Sequence, residues 1–420
     1  MAEEEPPVNR TSLGLDKLPA DFLWGVSVGA HQTEGGNVSS DWWYRENQPG
    51  TSIAERSGDA VDSYHRYSED LELAASAGFT DYRFGVEWSR IEPVDGFFSR
   101  AEIDHYVGVV RAARALGLRP MITLNHFTLP LWFSAQGGWL NEGAEERFLR
   151  YVDALAPVIA AGAASVMTIN EPNIYAVLDR LNDTAGDLSA GLPEPDERLT
   201  TALIGVHRAT VARIRRDHPG VAVGWGVSVQ DYRPAPGAEE ATDRYAEPRD
   251  QVFLRASEGD DFVGVQTYTG GIVGTDGEPL VDLHARRTLN GWEFLPDSLG
   301  GAIRRVARLI PAVPIIVTEN GVAVSDDTAR IEYTAAALRS MVAAITDGAD
   351  VRGYFHWSLL DNWEWGHWQP TFGLVSVDRE TFQRTPKPSL SWLGGLAPAA
   401  TEPRNGPTND IHAAGRSRHR

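Results

Sequence analysis

The sequence of 420 residues contains no cysteine. Disulfide staples, thiolate metal ligands and cysteine nucleophiles are therefore excluded. It has no uninterrupted apolar run of about 18 residues, so no membrane-spanning helix is expected. Basic side chains are outnumbered, 38 against 58 acidic ones, which leaves a formal charge of −20. Nucleic acid and anionic lipid surfaces repel such a chain, and neither is expected as a partner. The opening MAEEEPPVNR carries three glutamates and no apolar stretch, so no signal peptide is expected and a cytoplasmic location is the default. The histidines at 126, 356 and 367 show no H-x-H or H-E-x-x-H spacing, so no catalytic metal is expected and no cofactor is implied. Tryptophan, by contrast, is plentiful, with 13 copies. Such an excess suits a large core, and it also suits a site that stacks on sugar rings.

Hydrophobic residues make up 42% and charged residues 23%, an ordinary globular balance. Residues 1–17 are polar and acidic and are expected to be flexible. From 397 onward the chain is rich in Pro, Ala, Asn and Arg without apolar periodicity, and a disordered tail is expected. Between them, residues 18–396 contain no long linker and read as one domain. Eight short runs rich in Val, Ile, Phe and Tyr occur at 22–29, 81–88, 120–127, 165–170, 221–229, 261–268, 314–320 and 351–359. Helical patterns lie between them, for example 62–77 closed by Gly78 and 101–116 closed by Gly117. Near-continuous apolar strands separated by helices imply parallel strands buried on both faces. Eight such units imply an α/β fold, the single-domain (β/α)8 TIM barrel. An open doubly wound sheet is the structural alternative, but GVSVGAHQTEGGN lacks the glycine pattern of a phosphate loop.

Active sites of such barrels lie at the C-terminal strand ends. Those ends carry His31, Gln32 and Glu34; Arg83 and Glu87; Asn125 and His126; Asn170 and Glu171; Gln266 and Tyr268; Glu319 and Asn320; His356 and Trp357. Asp361, Asn362, Glu364 and Trp365 follow strand eight. A polar residue at one strand end is ordinary; at seven of eight it suggests convergence on one pocket. Glu171 after strand four and Glu319 on strand seven would face each other across the barrel mouth. A facing carboxylate pair suits glycoside cleavage, in which one acid protonates the leaving oxygen and the other meets the anomeric carbon. Arg83 is a candidate to hold one of them ionised. A structural salt bridge is the competing account of the same residues. Trp24, Trp88 and Trp225 read as core, and His65 and Arg66 as helix packing or buried hydrogen bonds. Glu87 reads as a supporting carboxylate or a salt bridge.

The segments LPADFLWG, HQTEGG, YHRYSEDL, YRFGVEWSRIEP, LNHFTLPLWF, TINEPN, GWEFLP, IIVTENG and GYFHWSLLDNWEW occur in that order. In this the sequence resembles glycoside hydrolase family 1, the retaining β-glucosidases and β-glycosidases, over about residues 18–396. The resemblance implies Glu171 as acid/base and Glu319 as nucleophile, with Asn170 on the sugar 2-hydroxyl. It implies that Arg83 and Tyr268 orient the nucleophile. Gln32, His126, Glu364 and Trp365 would hold the remaining hydroxyls, and Trp357 would lie beneath the ring. It also implies a small β-glycoside as substrate. Glu171 stands where the thioglucosidase branch has glutamine, so O-glycosides are expected. Glu364 stands where phosphoglycosidases lack a carboxylate, so an unphosphorylated sugar is expected.

Several positions depart from the family pattern. Gln266 replaces the usual asparagine of a GVNYYT segment, His31 stands where tyrosine is common, and GHWQPTFG lacks the usual arginine. The stretch between Glu171 and Glu319 is shorter than typical, which predicts a more open aglycone side. Two rival functions keep the same residues or most of them: an enzyme that transfers sugars to acceptors other than water, and a non-catalytic sugar-binding barrel.

Overall fold

The computed structural model describes residues 8–178 and 191–398. Eight parallel strands form a closed barrel. They are β1 Leu23–Ser27, β2 Asp81–Gly85, β3 Arg119–Thr123, β4 Ser165–Asn170, β5 Ala222–Ser228, β6 Phe262–Gln266, β7 Ile315–Asn320 and β8 Val351–Trp357. Each strand pairs with its sequence neighbours, and β8 closes on β1 through Leu23↔Gly353 to Ser27↔Trp357. All eight expected strands are present, and the architecture is the expected single-domain (β/α)8 barrel.

A helix follows every strand: α1 Ser63–Ala77, α2 Arg100–Ala115, α3 Ala144–Ala154, α4 Glu197–Asp217, α5 Val252–Ala256, α6 Ser298–Leu309, α7 Asp327–Thr346 and α8 Pro388–Gly394. Local chemistry sets their ends. Ser99 caps α2 by accepting from the Glu102 N–H, and Asp196 caps α4 by accepting from Arg198 and Leu199. Gly78 ends α1 at φ 109°, a left-handed conformation that costs glycine little.

Two apolar layers hold the barrel. Inside it, Leu23, Met121, Met167, Ala222, Phe262, Ile316 and Phe355 form a buried plug below the mouth. Gly25 is required beside that plug, because a Cβ there would meet the Phe355 ring at 2.4 Å. Between strands and helices lies the larger cluster, which includes Trp24, Trp88 and Trp225, all buried as expected for core. Arg384, on the strand Arg384–Pro386, pairs with Asp70 of α1, both side chains 1% exposed.

The described part of the segment expected to be flexible over 1–17 packs against the barrel from residue 8 onward. Leu13 and Leu15 are buried in the main core, and Arg10 donates to the Leu15 and Leu396 carbonyls. Two leucines among polar residues were enough to dock the segment, and no periodicity announces so short an anchor. Residues 1–7 and 399–420, and with them most of the expected tail, lie outside the described residues. His65 also departs from expectation: it sits on α1 as read, but its side chain is 74% exposed and bonds Asp62 at the surface.

Candidate active site

Strict alternation would aim the wrong side chains into the mouth. Met167 and Ile316 belong to the barrel interior, so strict alternation would turn Asn170 and Glu319, an odd number of residues further on, away from it. The ladders slip between Met167 and Asn170 on β4, and between Val317 and Glu319 on β7. An irregularity of this kind re-aims the side chains that follow it. Asn170 and Glu319 thereby turn to the mouth.

Glu319 is buried and takes hydrogen bonds from three side chains. Its Oε1 accepts from Arg83 Nη1 at 2.5 Å and from Gln266 Nε2 at 3.0 Å, and its Oε2 accepts from Tyr268 Oη at 2.5 Å. Arg83 is fully buried and also donates to Asn170 Oδ1 and Thr123 Oγ1. A guanidinium and two further donors thus converge on this one carboxyl. Tyr268 is itself held, because its carbonyl accepts from Tyr333 Oη at 2.6 Å.

Glu171 sits in a left-handed turn at φ 43°, at the start of the short helix Pro172–Tyr175. For a non-glycine residue that conformation costs on the order of 1–3 kcal/mol. The turn is pinned by the Glu171 N–H, which donates to Gly226 O at 2.8 Å. Burial, and then the charge of Glu319, push the Glu171 carboxyl up to about 8; the Ser228 hydroxyl and Arg83 oppose the shift. At neutral pH Glu171 is therefore chiefly protonated while Glu319 faces a guanidinium. The charge of Glu319 is felt at Glu171, and the two carboxyls have different partners, as two carboxyls with different parts require.

The other expected residues form an adjoining group. Gln32 Nε2 donates to Asn362 Oδ1 at 3.1 Å and to Glu364 Oε2 at 3.2 Å, while Trp357 Nε1 donates to Glu364 Oε1 at 3.2 Å. Burial pushes Glu364 up to about 8, with Glu319 adding to the shift and the Trp357 N–H opposing it. The protonated carboxyl can donate as well as accept a hydrogen bond. Trp365 packs among Trp42, Phe127, His126 and His31, with its ring parallel to that of His31. Burial lowers the His126 pKa, so its imidazole is neutral. Several buried atoms in this region have no protein partner among the described residues, among them Gln32 Oε1, His126 Nδ1, Asn170 Nδ2 and Gln266 Oε1. An unmet buried polar group costs about 1–3 kcal/mol, and sugar hydroxyls, which both donate and accept, would satisfy this set.

The remaining strand-end residues have supporting contacts. Asn320 braces β7 through Thr267 O and Tyr354 Oη, Asn125 shapes its loop through Thr128 O, and Asp361 pairs with Lys387. Glu34 pairs with Arg90. Glu87 accepts from Thr128 and Ser89, the supporting carboxylate rather than the salt bridge. Sequence reasoning found no residue for the end of β5. There Ser228 serves Glu171, and its backbone is clamped on both sides by Asn173, whose Nδ2 donates to Ser228 O at 2.8 Å while its Oδ1 accepts from Ser228 N at 3.1 Å. The second asparagine of TINEPN was the only signal available. Gln266, read as a departure, proves to touch both Glu319 and Asn170. No group of three or more possible metal ligands, and no helix able to cross a membrane, occurs among the described residues.

A parallel eightfold barrel with paired carboxyls and a ring of amides and indoles at its mouth defines a carbohydrate-cleaving hydrolase. The sequence matches the profile of Glycosyl hydrolase family 1 over residues 15–258 and 254–401, and the chain belongs to that family. It is an O-glycosyl hydrolase. Among relatives, the beta-glucosidase of Agrobacterium sp. is 30% identical over 91% of this chain and 95% of its own length. Beta-glucosidase A of Thermotoga maritima is 27% identical over 91% and 98%. Among solved structures, an apo beta-glucosidase is 42% identical with a TM-score of 0.82, covering 90% of this chain and 98% of its own. A beta-glycosidase from Pyrococcus horikoshii is 31% identical with a TM-score of 0.79, covering 91% and 95%.

Proposed function

We propose that this protein is an exo-acting, retaining β-glycosidase, with β-glucosides as its preferred class, that hydrolyses unphosphorylated β-O-glycosides by double displacement. The observation that carries this reading is the contrast between the two carboxyls. Glu319 accepts from Arg83, Gln266 and Tyr268, whereas Glu171 is pushed up to about 8. Glu171 protonates the leaving oxygen as Glu319 attacks the anomeric carbon, and a glycosyl-enzyme forms. Glu171, now ionised, takes a proton from water, which releases the sugar with its configuration retained. Asn170 meets the 2-hydroxyl, where contacts strengthen in the transition state. Gln32, His126, Glu364 and Trp365 hold the other hydroxyls, and Trp357 carries the apolar ring face. A 6-phosphate would find no free guanidinium in Arg83, which is already committed to Glu319 and Asn170.

The reading is tested by incubation with a 2-fluoro β-glucoside carrying a good leaving group, followed by peptide mass analysis. The expected result is a fluoroglucosyl adduct on the peptide containing Glu319, absent from Glu319→Ala, with the β-anomer as the first product seen by NMR. An α-anomer would mean inversion and sink the double displacement. Predominant glycosides in place of free sugar when alcohols are added would mark the transferase alternative. Absence of any nitrophenol release from aryl β-glycosides would mark a binding barrel.

A further inference from the structure

Gln266 lies between the residue expected at O2 and the residue expected at the anomeric carbon. Its Nε2 donates to Asn170 Oδ1 at 2.8 Å and to Glu319 Oε1 at 3.0 Å. The orientation of both amides follows from what each neighbour can do. Arg83 only donates, so the Asn170 atom against its Nη2 is the oxygen. A carboxylate only accepts, so the Gln266 atom against Glu319 is the nitrogen. The two hydrogens on that nitrogen then serve two acceptors. Asn170 Oδ1 receives Arg83 on one side and Gln266 on the other, which uses both of its lone pairs. Asn170 Nδ2 is left buried without a partner.

We propose that Gln266 is a positioning residue that locks the Asn170 amide with its nitrogen toward the sugar, so that the site reads O2 as a hydrogen-bond acceptor. The inference rests on the glycosidase reading above, which places O2 at Asn170. It also assigns a use to the extra methylene of glutamine. The longer side chain needs space on β5, and that space is Gly226, where a Cβ would come within 2.8 Å of Gln266 Nε2 and 2.4 Å of the Met167 methyl. Gly226 is the register partner of Asn170, so three adjacent strands contribute to one amide orientation. With the lock removed, Asn170 Oδ1 keeps Arg83 as its one anchor, and the amide is held less tightly in that orientation.

Gln266→Leu and Gln266→Met, which lack the donor at similar length, test this in two ways. The first compares kcat/KM on a dinitrophenyl β-glucoside with that on its 2-deoxy analogue. The glucoside advantage should fall about three- to tenfold, the range expected for one hydrogen bond. In an Asn170→Ala background either substitution should leave the ratio unchanged. A role confined to Glu319, or to folding, would lower both substrates equally, and that outcome overturns the proposal. The second measures by calorimetry the affinities of 1-deoxynojirimycin and its 2-deoxy analogue, which needs no turnover. Their ratio should fall by a similar factor in the variants. Catalysis with an unchanged ratio refutes the lock alone; tight, 2-hydroxyl-dependent binding without catalysis refutes the hydrolase reading alone. Failure of the folded protein to bind either iminosugar refutes the lock as well. Circular dichroism selects the variant that folds.

Discussion

The carboxyl of Glu171 is buried and feels the charge of Glu319, and its protonation follows from that. Glu171 is lifted to about 8 by burial and by the charge of Glu319. In its proposed role as proton donor Glu171 has a proton to give below that value and none above it, so kcat/KM should fall along an alkaline limb near pH 8. Ser228 favours the ionised form of Glu171, so Ser228→Ala should raise the pKa and move this limb upward by about half to one pH unit, with the acidic limb unmoved. A pH profile on an aryl glucoside with a poor leaving group measures both limbs. A downward or absent shift would remove Ser228 from the proton donor's environment. Gln266 illustrates how a departure in sequence can hide a contact: the longer amide reaches both Asn170 and Glu319 where Gly226 leaves it room.

At the scale of elements, the register slips near the ends of β4 and β7 bring Asn170 and Glu319 to the mouth. Helix α1 and the strand Arg384–Pro386 are joined by the buried Asp70–Arg384 pair, with Ser63 donating to Asp70 as well. Removing one partner strands a charge in the interior. Arg384→Met should therefore cost about 3–5 kcal/mol, with part of that recovered in Asp70→Asn/Arg384→Met. Urea unfolding measures both; a loss below about 1 kcal/mol, the scale of exposed pairs, would contradict the burial argument. Lys387, just beyond this strand, ties Asp361 and the Gly373 carbonyl, and so secures the loop that carries Glu364 and Trp365.

At the scale of the whole molecule, the segment before β1 joins the same core as the barrel helices. Leu15 is fully buried, and Trp392 of α8 donates its indole N–H to Val8 O at 3.0 Å. Leu15→Ala should destabilise the protein by about 2–5 kcal/mol. Tryptophan fluorescence and loss of activity should then shift together on urea titration, since one cooperative unit is affected. Activity lost well before fluorescence changes would show instead that the segment stabilises only the site.

The legible part of this protein was whatever repeats or is local. Apolar runs alternating with amphipathic helices specify parallel strands buried on both faces, and eight of them leave the barrel as the closed solution. Strand-end chemistry then named the mouth residues, since a strand's C-terminal end is fixed once the strand is. Tertiary structure alone decided which of those side chains meet. Arg83 and Glu319 are 236 residues apart in the chain, and their contact depends on ladder slips that no single strand encodes. The same holds for the two-sided bond of Gln266, the clamp on Ser228 and the anchoring of Leu15. Each is a relation between distant elements, set by register and packing, while the chain specifies the elements one at a time.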